Sequence, residues 1–410
     1  MQIYLVGGAV RDELLGLPVS DRDWVVVGAT PDDLIKLGFQ QVGKKFPVFL
    51  HPKTHEAYAL ARTEQKIGIG YTGFSFYTQP DISIEDDLLR RDLSINAIAK
   101  NKHGKLIDPY RGEQDIKNRL LRHVSNAFIE DPLRILRVAR FAAKLAKKKF
   151  KIAYETEELM KKMVNQRELE TLSAERVWSE TKKALQTCSP DVYFQVLYNC
   201  GALAILFPEI NRLFSIPETK KKLSAEINVG IHTLTTLKIT ALLTDNVDIR
   251  FAALCHDFGK IFITEKCPKT FDYGIQGIPL IEKMCNRLRI PNKVKKLAKL
   301  VAEFHQYIHH IYQLEPVNII NLFDKINSWK KPERINQLSV ICEADFRTQT
   351  KKNNVTYLQK KIFFEAFKIA KKTSAQKLIK NNITGSAFKD QLTQQRIKTL
   401  KTWWKKKLTM

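Results

Sequence analysis

The sequence predicts an α+β fold: a small head built on a sheet, followed by a long helical body. Two observations carry this. Short apolar runs bounded by turn residues crowd the first hundred positions, at residues 3–6, 24–27, 46–50, 57–60 and 97–99, and runs of that length and setting read as strands. From about residue 115 onward, apolar residues recur at three- and four-residue spacing, the period of amphipathic helices. Strands followed by helices, rather than alternating with them, argue for an α+β architecture. At 410 residues the chain is long enough for two or three domains, with a sizeable core. No internal repeat or low-complexity linker marks the borders. They are placed near 140 and 220, giving segments 1–140, 141–220 and 221–410.

The first element in order is also the most informative. In residues 3–27, IYLVGGAVRDELLGLPVSDRDWVVV, the strand 3–6 is broken by Gly7-Gly8 and followed by a short helix over 9–15 that Gly16 stops. A Gly-rich turn leading into a helix offers backbone N–H groups and a positive dipole end, suited to phosphate, and Arg11 adds a guanidinium. Asp21 and Asp23 enter the next strand two positions apart, so they share a face. Neighbouring carboxylates repel unless a cation lies between them, and hard divalent ions take such oxygen ligands. A phosphate cradle with paired carboxylates points to magnesium-assisted phosphoryl or nucleotidyl transfer.

Next come Glu56 and Glu64, candidates for a third acidic group between which nothing in the sequence chooses. Residues 66–74, KIGIGYTGF, carry Gly68, Gly70 and Gly73, the density of a mobile connection. The segment LRRDLSINAI (89–98) leads to DPYRG (108–112). In EDPLRILRVAR (130–140), Asp131 suits an N-cap and Pro132 the first helical position. Leu133, Leu136, Val138 and Phe141 can then face the core, while Arg134, Arg137 and Arg140 form a slowly turning cationic stripe.

The formal charge of +25, from 68 basic and 43 acidic residues, favours a polyanionic partner, although an AT-rich genome would enrich the same lysines. Basic clusters stand at Lys144, Lys147–Lys149 and Lys151, over residues 287–299, and in the tail 401–407 around Trp403-Trp404. Such patches suit RNA phosphates, and an aromatic pair suits stacking on an exposed base. Six cysteines (Cys188, Cys200, Cys255, Cys267, Cys285, Cys342) show no C-x-x-C spacing, so no zinc knuckle or disulfide framework is expected. A strand at the very start leaves no room for a signal peptide. No apolar run approaches the roughly 20 residues of a membrane span. The expectation is a cytoplasmic protein without membrane contact, monomeric or homodimeric.

Three of these segments together resemble a known family. G-G-A-V-R-D followed by D-R-D-W is similar to the signature of the polymerase-β-like nucleotidyltransferases, in the class II form of tRNA CCA-adding enzymes and bacterial poly(A) polymerases. RRDLSIN resembles the family's R-R-D-[LF]-T-I-N, with Ser94 for Thr, and EDPLR its E-D-x-x-R. The resemblance implies a polymerase-β-like head, a helical neck and body, and addition of C, C and A to tRNA from CTP and ATP. Asp21 and Asp23 would hold two magnesium ions, one activating the tRNA 3′-hydroxyl and one stabilising pyrophosphate. Gly8, Arg11 and Arg91 would hold the triphosphate, with Asp92 and Asn96 bracing the site. Asp131 and Arg134 would read the Watson–Crick edge of the incoming base, and Arg137 and Arg140 would contact the nucleotide. The 66–74 loop would assist the switch from C to A. A poly(A) polymerase is the nearest rival, since VGKKF (42–46) partly matches an element of those enzymes, but PVFLH (47–51) and the C-terminal half oppose it. A tRNA-binding scaffold with a dead site is opposed by the intact D-x-D, both glycines and all five arginines.

In the C-terminal half, past a neck segment LSAERVW (172–178), His232, His256-Asp257 and Asp345 follow the order H…HD…D. This resembles the HD phosphohydrolase domain at the C-terminus of gamma-proteobacterial CCA-adding enzymes, where these residues hold a divalent metal. The segment 267–277, CPKTFDYGIQG, has Phe271, Asp272 and Tyr273 where the family carries a His-rich turn. His305 keeps a later family position, while His309 and His310 receive no assignment. The shortage of ligands predicts a vestigial site at His232, His256, Asp257 and Asp345, with hydrolase activity lost and the domain kept as a scaffold for tRNA.

Overall fold

The computed structural model describes residues 1–19, 21–43, 48–66, 74–217, 228–262, 273–350, 356–373 and 385–408. Its first strand, Gln2–Val6 (β1), pairs antiparallel with Asp23–Val27 (β2), Val6 facing Asp23 and Gln2 facing Val27. Both strands are covered on both faces: Tyr4, Val6 and Val25 pack into one apolar cluster, Leu5 and Val26 into two others. That is why they read as continuous apolar runs rather than alternating ones. Around this pair lie Gln40–Val42 (β3), Val48–Leu50 (β4), Ala57–Leu60 (β5), Ala99–Asn101 (β8) and Leu106–Ile107 (β9). Among the described residues they form one sheet in the order β3-β4-β5-β2-β1-β8-β9, with β2 and β5 parallel. Thr63–Lys66 (β6) and Phe74–Tyr77 (β7) make a separate antiparallel pair joined by the glycine-rich connection, of which residues 67–73 lie outside the described residues.

The strand expected over 97–99 begins only at Ala99. Ser94–Asn96 winds into a 3-10 turn, with Ala97 N–H donating to Ser94 O at 2.9 Å, and pairing with β1 starts at Ala99 opposite Val6. Of the expected strand 46–50, Val48–Leu50 is formed and residues 46–47 lie outside the described set. The helix after the glycines is Gly8–Leu14 (α1), closed by Gly16 at φ 64°.

Ile84–Leu89 (α2) opens with a capping box between Ser83 and Asp86. Leu133–Leu145 (α3) buries Ile135, Leu136, Val138, Ala139 and Phe141, and packs against Ala174–Leu185 (α4) and Pro190–Asn199 (α5). Sheet and helices through α5 belong to one compact unit, Met1–Leu206, and the rest of the chain, Phe207–Met410, forms a second. The sequence boundary near 140 falls within α3.

The second unit is helical throughout its described length. Val229–Leu243 (α6) packs on Glu333–Thr350 (α9), and Val247–Cys255 (α7) packs on Asn292–His309 (α8). Leu358–Lys371 (α10) packs on Gly385–Leu408 (α11). No helix among the described residues is long and apolar enough to cross a membrane. Cys188, Cys200, Cys255, Cys285 and Cys342 are free thiols.

Candidate active site

The β1–β2 register sets Asp23 level with Val6, the last strand residue before the Gly7-Gly8 turn. Asp21 and Asp23 are both exposed at that edge. Desolvation by the surrounding protein pushes the Asp23 carboxyl up from its ordinary value; Arg91 pulls it down and Asp21 pushes it up further. A divalent cation between the two carboxylates would relieve that repulsion, and exposed carboxylate oxygens suit magnesium. Glu56 is turned elsewhere. It accepts from Trp24 Nε1 at 2.9 Å, with Arg22 3.6 Å away, and strand alternation puts Trp24 on the face opposite Asp23. The side chain of Glu64 lies outside the described residues.

Gly7 has φ 69°, and a Cβ built there would lie 2.8 Å from Arg91 Nη1. The turn therefore needs glycine twice over, for its backbone and for the guanidinium packed against it. Arg91 is held by Asp87 Oδ2 at 3.0 Å. Asp87 is fully buried, and burial raises its carboxyl, but Arg90 and Arg91 outweigh that and hold it below the usual range.

Arg11, expected as a phosphate ligand, is buried beneath the turn: it donates to Asp12 Oδ1 at 2.9 Å and to Asn96 Oδ1 at 2.6 Å. Asn96 in turn donates to Asp92 Oδ1 at 3.0 Å, and Arg137 Nε reaches Asp92 Oδ2 at 2.7 Å. Lys144 closes the other end on Asp12 Oδ2 at 2.9 Å. One continuous chain of polar contacts, Lys144–Asp12–Arg11–Asn96–Asp92–Arg137, thus ties α1, the RRDLSIN segment and α3 together. Burial raises the Asp92 carboxyl, but Arg137 and Asn96 outweigh it and hold it well below the ordinary carboxylate range.

At the start of α3 the two residues expected to read the base both hold protein partners. Asp131 Oδ1 caps Leu133 N–H at 3.1 Å, while its Oδ2 accepts from Arg176 of α4 at 2.7 Å. Asp131 is extended and its carbonyl accepts from Arg134 N–H at 3.0 Å, as an N-cap residue does, while Pro132 beside it already has helical angles. Arg134 is buried, with its fork on the carbonyls of Ala127 (2.9 Å) and Arg90 (2.6 Å). Arg140 is paired with buried Glu180 at 2.5 Å. Arg176 and Glu180 both lie in or just beyond the neck segment LSAERVW, and their i, i+4 spacing on one helix face was the available signal.

The second unit gathers the H…HD…D residues into one buried cluster. His232, His256 and Asp345 present ligand atoms within 4.8 Å of one another. Asp257 Oδ2 lies 3.5 Å from His232 Nε2 and 3.2 Å from His256 Nε2. His309, left without assignment above, joins through Asp345 Oδ2 at 2.8 Å, and Tyr357 holds its Nδ1 at 2.9 Å. It lies one helical turn after His305 on α8, a signal the sequence did carry. His232 Nε2, His256 Nε2, Asp257 Oδ2 and His309 Nε2 are buried without an aligned hydrogen-bond partner. Imidazoles and carboxylates converging in this way suit a divalent transition ion, and Lys260 Nζ, 2.8 Å from Asp257 Oδ2, already offsets part of the carboxylate charge.

Much of the basic surface is internally paired: Arg287 with Glu209, Lys293 with Asp248 and Lys299 with Glu282. The Trp403-Trp404 pair does not present two faces, because Trp404 is buried.

Comparison with known proteins covers the chain in order. The poly A polymerase head domain matches residues 3–122, the probable RNA and SrmB-binding site of polymerase A matches 149–214, and the HD domain matches 229–345. A CCA-adding enzyme in an apo form has TM-score 0.67 at 20% identity, covering 98% of this chain and 88% of its own. A CCA-adding enzyme solved with CTP gives 0.63 at 21%, covering 98% and 87%. The Thermotoga maritima CCA-adding enzyme complexed with tRNA gives 0.60 at 19%, covering 98% and 87%. Fold is thus shared over nearly the whole length. With a poly A polymerase head, an RNA-binding segment and an HD domain in that order on this fold, the chain belongs to the class II nucleotidyltransferases.

Proposed function

We propose that this protein adds C, C and A in turn to the 3′ end of tRNA, using CTP and ATP and no nucleic-acid template. The observation that carries the reading is the pairing of Val6 with Asp23, which brings the two carboxylates to the glycine turn that Arg91 backs. The similar solved enzymes, whose ligands include CTP, ATP and tRNA, support the choice of substrates. Asp21 and Asp23 would hold magnesium, which when bound neutralises charge between the attacking oxygen and the triphosphate. The backbone at Gly8 and the guanidinium of Arg91 bind the triphosphate so that pyrophosphate leaves in line. Arg11 supports the turn from below. Asp131 accepts from the exocyclic amine that cytosine and adenine both carry, and Arg134, once its guanidinium releases the carbonyls of Ala127 and Arg90, donates to their ring acceptors; guanine and uracil present the wrong pattern. Arg137 and Arg140 keep the nucleotide side of α3 positive. The working division is a head over 1–140, a neck over 141–220 and an HD-like body over 221–410, the last serving as a helical scaffold for tRNA rather than as a hydrolase.

Extension of a labelled tRNA ending at the discriminator base tests this, with each NTP supplied singly and together and an Asp21→Ala, Asp23→Ala control. A product that stops at three nucleotides, needs both CTP and ATP, and is absent in the control supports CCA addition. A long A ladder from ATP alone would mean a poly(A) polymerase. No extension by either protein would mean a binding scaffold.

A further inference from the structure

Glu56 stands behind the paired aspartates. β2 and β5 run parallel, with Asp23 level with Ala57 and Trp24 level with Tyr58, so Glu56, one residue before β5, comes level with Arg22. Both of its oxygens are engaged on that side. Oε2 accepts from Trp24 Nε1 at 2.9 Å, and Oε1 lies 3.6 Å from Arg22 Nη1. Arg22 and Trp24 alternate with Asp21 and Asp23, so in an extended segment they point to the opposite face. One carboxylate thus meets the two side chains that back the D-x-D pair.

Arg22 is the cation closest in sequence to both aspartates, and nothing in the sheet itself fixes its side. The ladders of β2 with β1 and with β5 both end at Asp23, which leaves Arg22 one position beyond the last paired residue. Its side chain is 53% exposed. A guanidinium on a long stem at a strand end can turn to either face, and two exposed carboxylates attract it. On their side it would neutralise charge that a divalent ion needs. Glu56 offers the competing anion, and it is itself anchored: the indole N–H it accepts from belongs to a ring stacked on buried Tyr58, with centroids 5.6 Å apart and planes 13° apart. A charge-assisted bond to a fixed indole is the strong contact here, and an exposed ion pair the weak one. The strong contact places Glu56, and the weak one has only to bias which way Arg22 turns.

We infer that Glu56 is a positioning residue of the active site: it draws Arg22 to the back of the sheet and so keeps Asp21 and Asp23 open for a divalent cation. This rests on the nucleotidyl-transfer reading of the two aspartates, and it gives the glutamate a role other than that of a third acidic ligand.

A double-mutant cycle on the full chain tests it, with manganese(II) titrated without nucleotide and followed by EPR. The head site is the binding that the parent shows and the Asp21→Ala, Asp23→Ala chain lacks. Glu56→Ala should weaken that binding about tenfold, the worth of one contact to a charged group. With Arg22→Ala already present, the same change should cost less than about twofold, because the two residues act as one pair. Glu56→Gln keeps an oxygen for Trp24 Nε1 but not the charge for Arg22, so it should repeat the pattern with the anchor intact, including where Glu56→Ala lowers Tm. An equal loss in both Arg22 backgrounds, or a Glu56→Gln chain that binds like the parent, overturns the inference alone. A parent that binds no more manganese than the double aspartate variant overturns it together with the metal-holding role of Asp21 and Asp23.

Discussion

Arg91 packs its guanidinium against Gly7 so closely that a Cβ on Gly7 would lie 2.8 Å from Nη1. Arg91 is also the cation that most lowers the carboxyl of Asp23. The turn, the arginine and the carboxylate are therefore one unit, and a single methyl group should disturb all three. Gly7→Ala adds backbone strain at φ 69° worth about 1–3 kcal/mol, and it displaces Arg91. The expected result is a folded protein with a lower Tm and an extension rate reduced on the order of 10²-fold, the cost of misplacing catalytic groups by about 1 Å. An alanine variant extending tRNA at the parent rate would separate the turn from the chemistry.

Asp87 and Asp92 predict how the first unit responds to acid. Both carboxyls are buried, yet arginines hold them below the ordinary 3.8. A depressed folded value means that the unfolded chain binds protons at higher pH than the folded one. The stabilisation is then fully present above about pH 4 and is lost as pH falls through the folded values. Asp92→Asn should cost about 1–3 kcal/mol at pH 7, below the usual loss for a broken buried pair because the Arg137 side chain is 36% exposed. Denaturant midpoints of parent and variant should converge between pH 7 and pH 2; a constant gap would refute the assignment.

Arg176 should govern which base is accepted. It holds Asp131 Oδ2 at 2.7 Å from the neighbouring helix, while Leu133 N–H occupies Oδ1. Without it the carboxylate keeps only the cap and can swing. Arg176→Ala should therefore erode discrimination of CTP and ATP against UTP by about tenfold, the worth of one hydrogen bond of 1–1.5 kcal/mol. Single-turnover incorporation of each NTP measures it. An equal loss for all four nucleotides would make Arg176 a purely structural contact.

Local signals carried much of this molecule. The strand–glycine–helix order of residues 3–16 and the paired aspartates were legible because turn chemistry and strand alternation act over a few residues. Partners were not legible. Nothing within residues 130–140 says that Asp131 turns to Arg176, that Arg134 spends its fork on the carbonyls of Ala127 and Arg90, or that Arg140 meets Glu180. Those contacts span up to 45 positions and depend on how α3 packs against α4. The HD cluster shows the same limit. The count of histidines in one turn suggested a depleted site, whereas folding brings in His309, and Tyr273 from the substituted turn, by tertiary approach.

Phe141 offers the last test of this arrangement. Its buried ring is faced by three of the five arginines, with guanidinium carbons 5.1 Å (Arg11), 5.7 Å (Arg137) and 4.4 Å (Arg140) from the centroid. Guanidiniums repel one another, and the electron-rich face of one ring lets them converge at about 0.5–1 kcal/mol apiece. Phe141→Leu keeps an apolar side chain but removes that face. It should lower stability by about 1–3 kcal/mol and raise KM for CTP and ATP together, leaving their ratio unchanged. That common shift is what distinguishes it from Arg176→Ala. Steady-state kinetics with each nucleotide decide the matter: a change confined to one nucleotide would show that the ring acts on base choice instead of on the shared cationic surface.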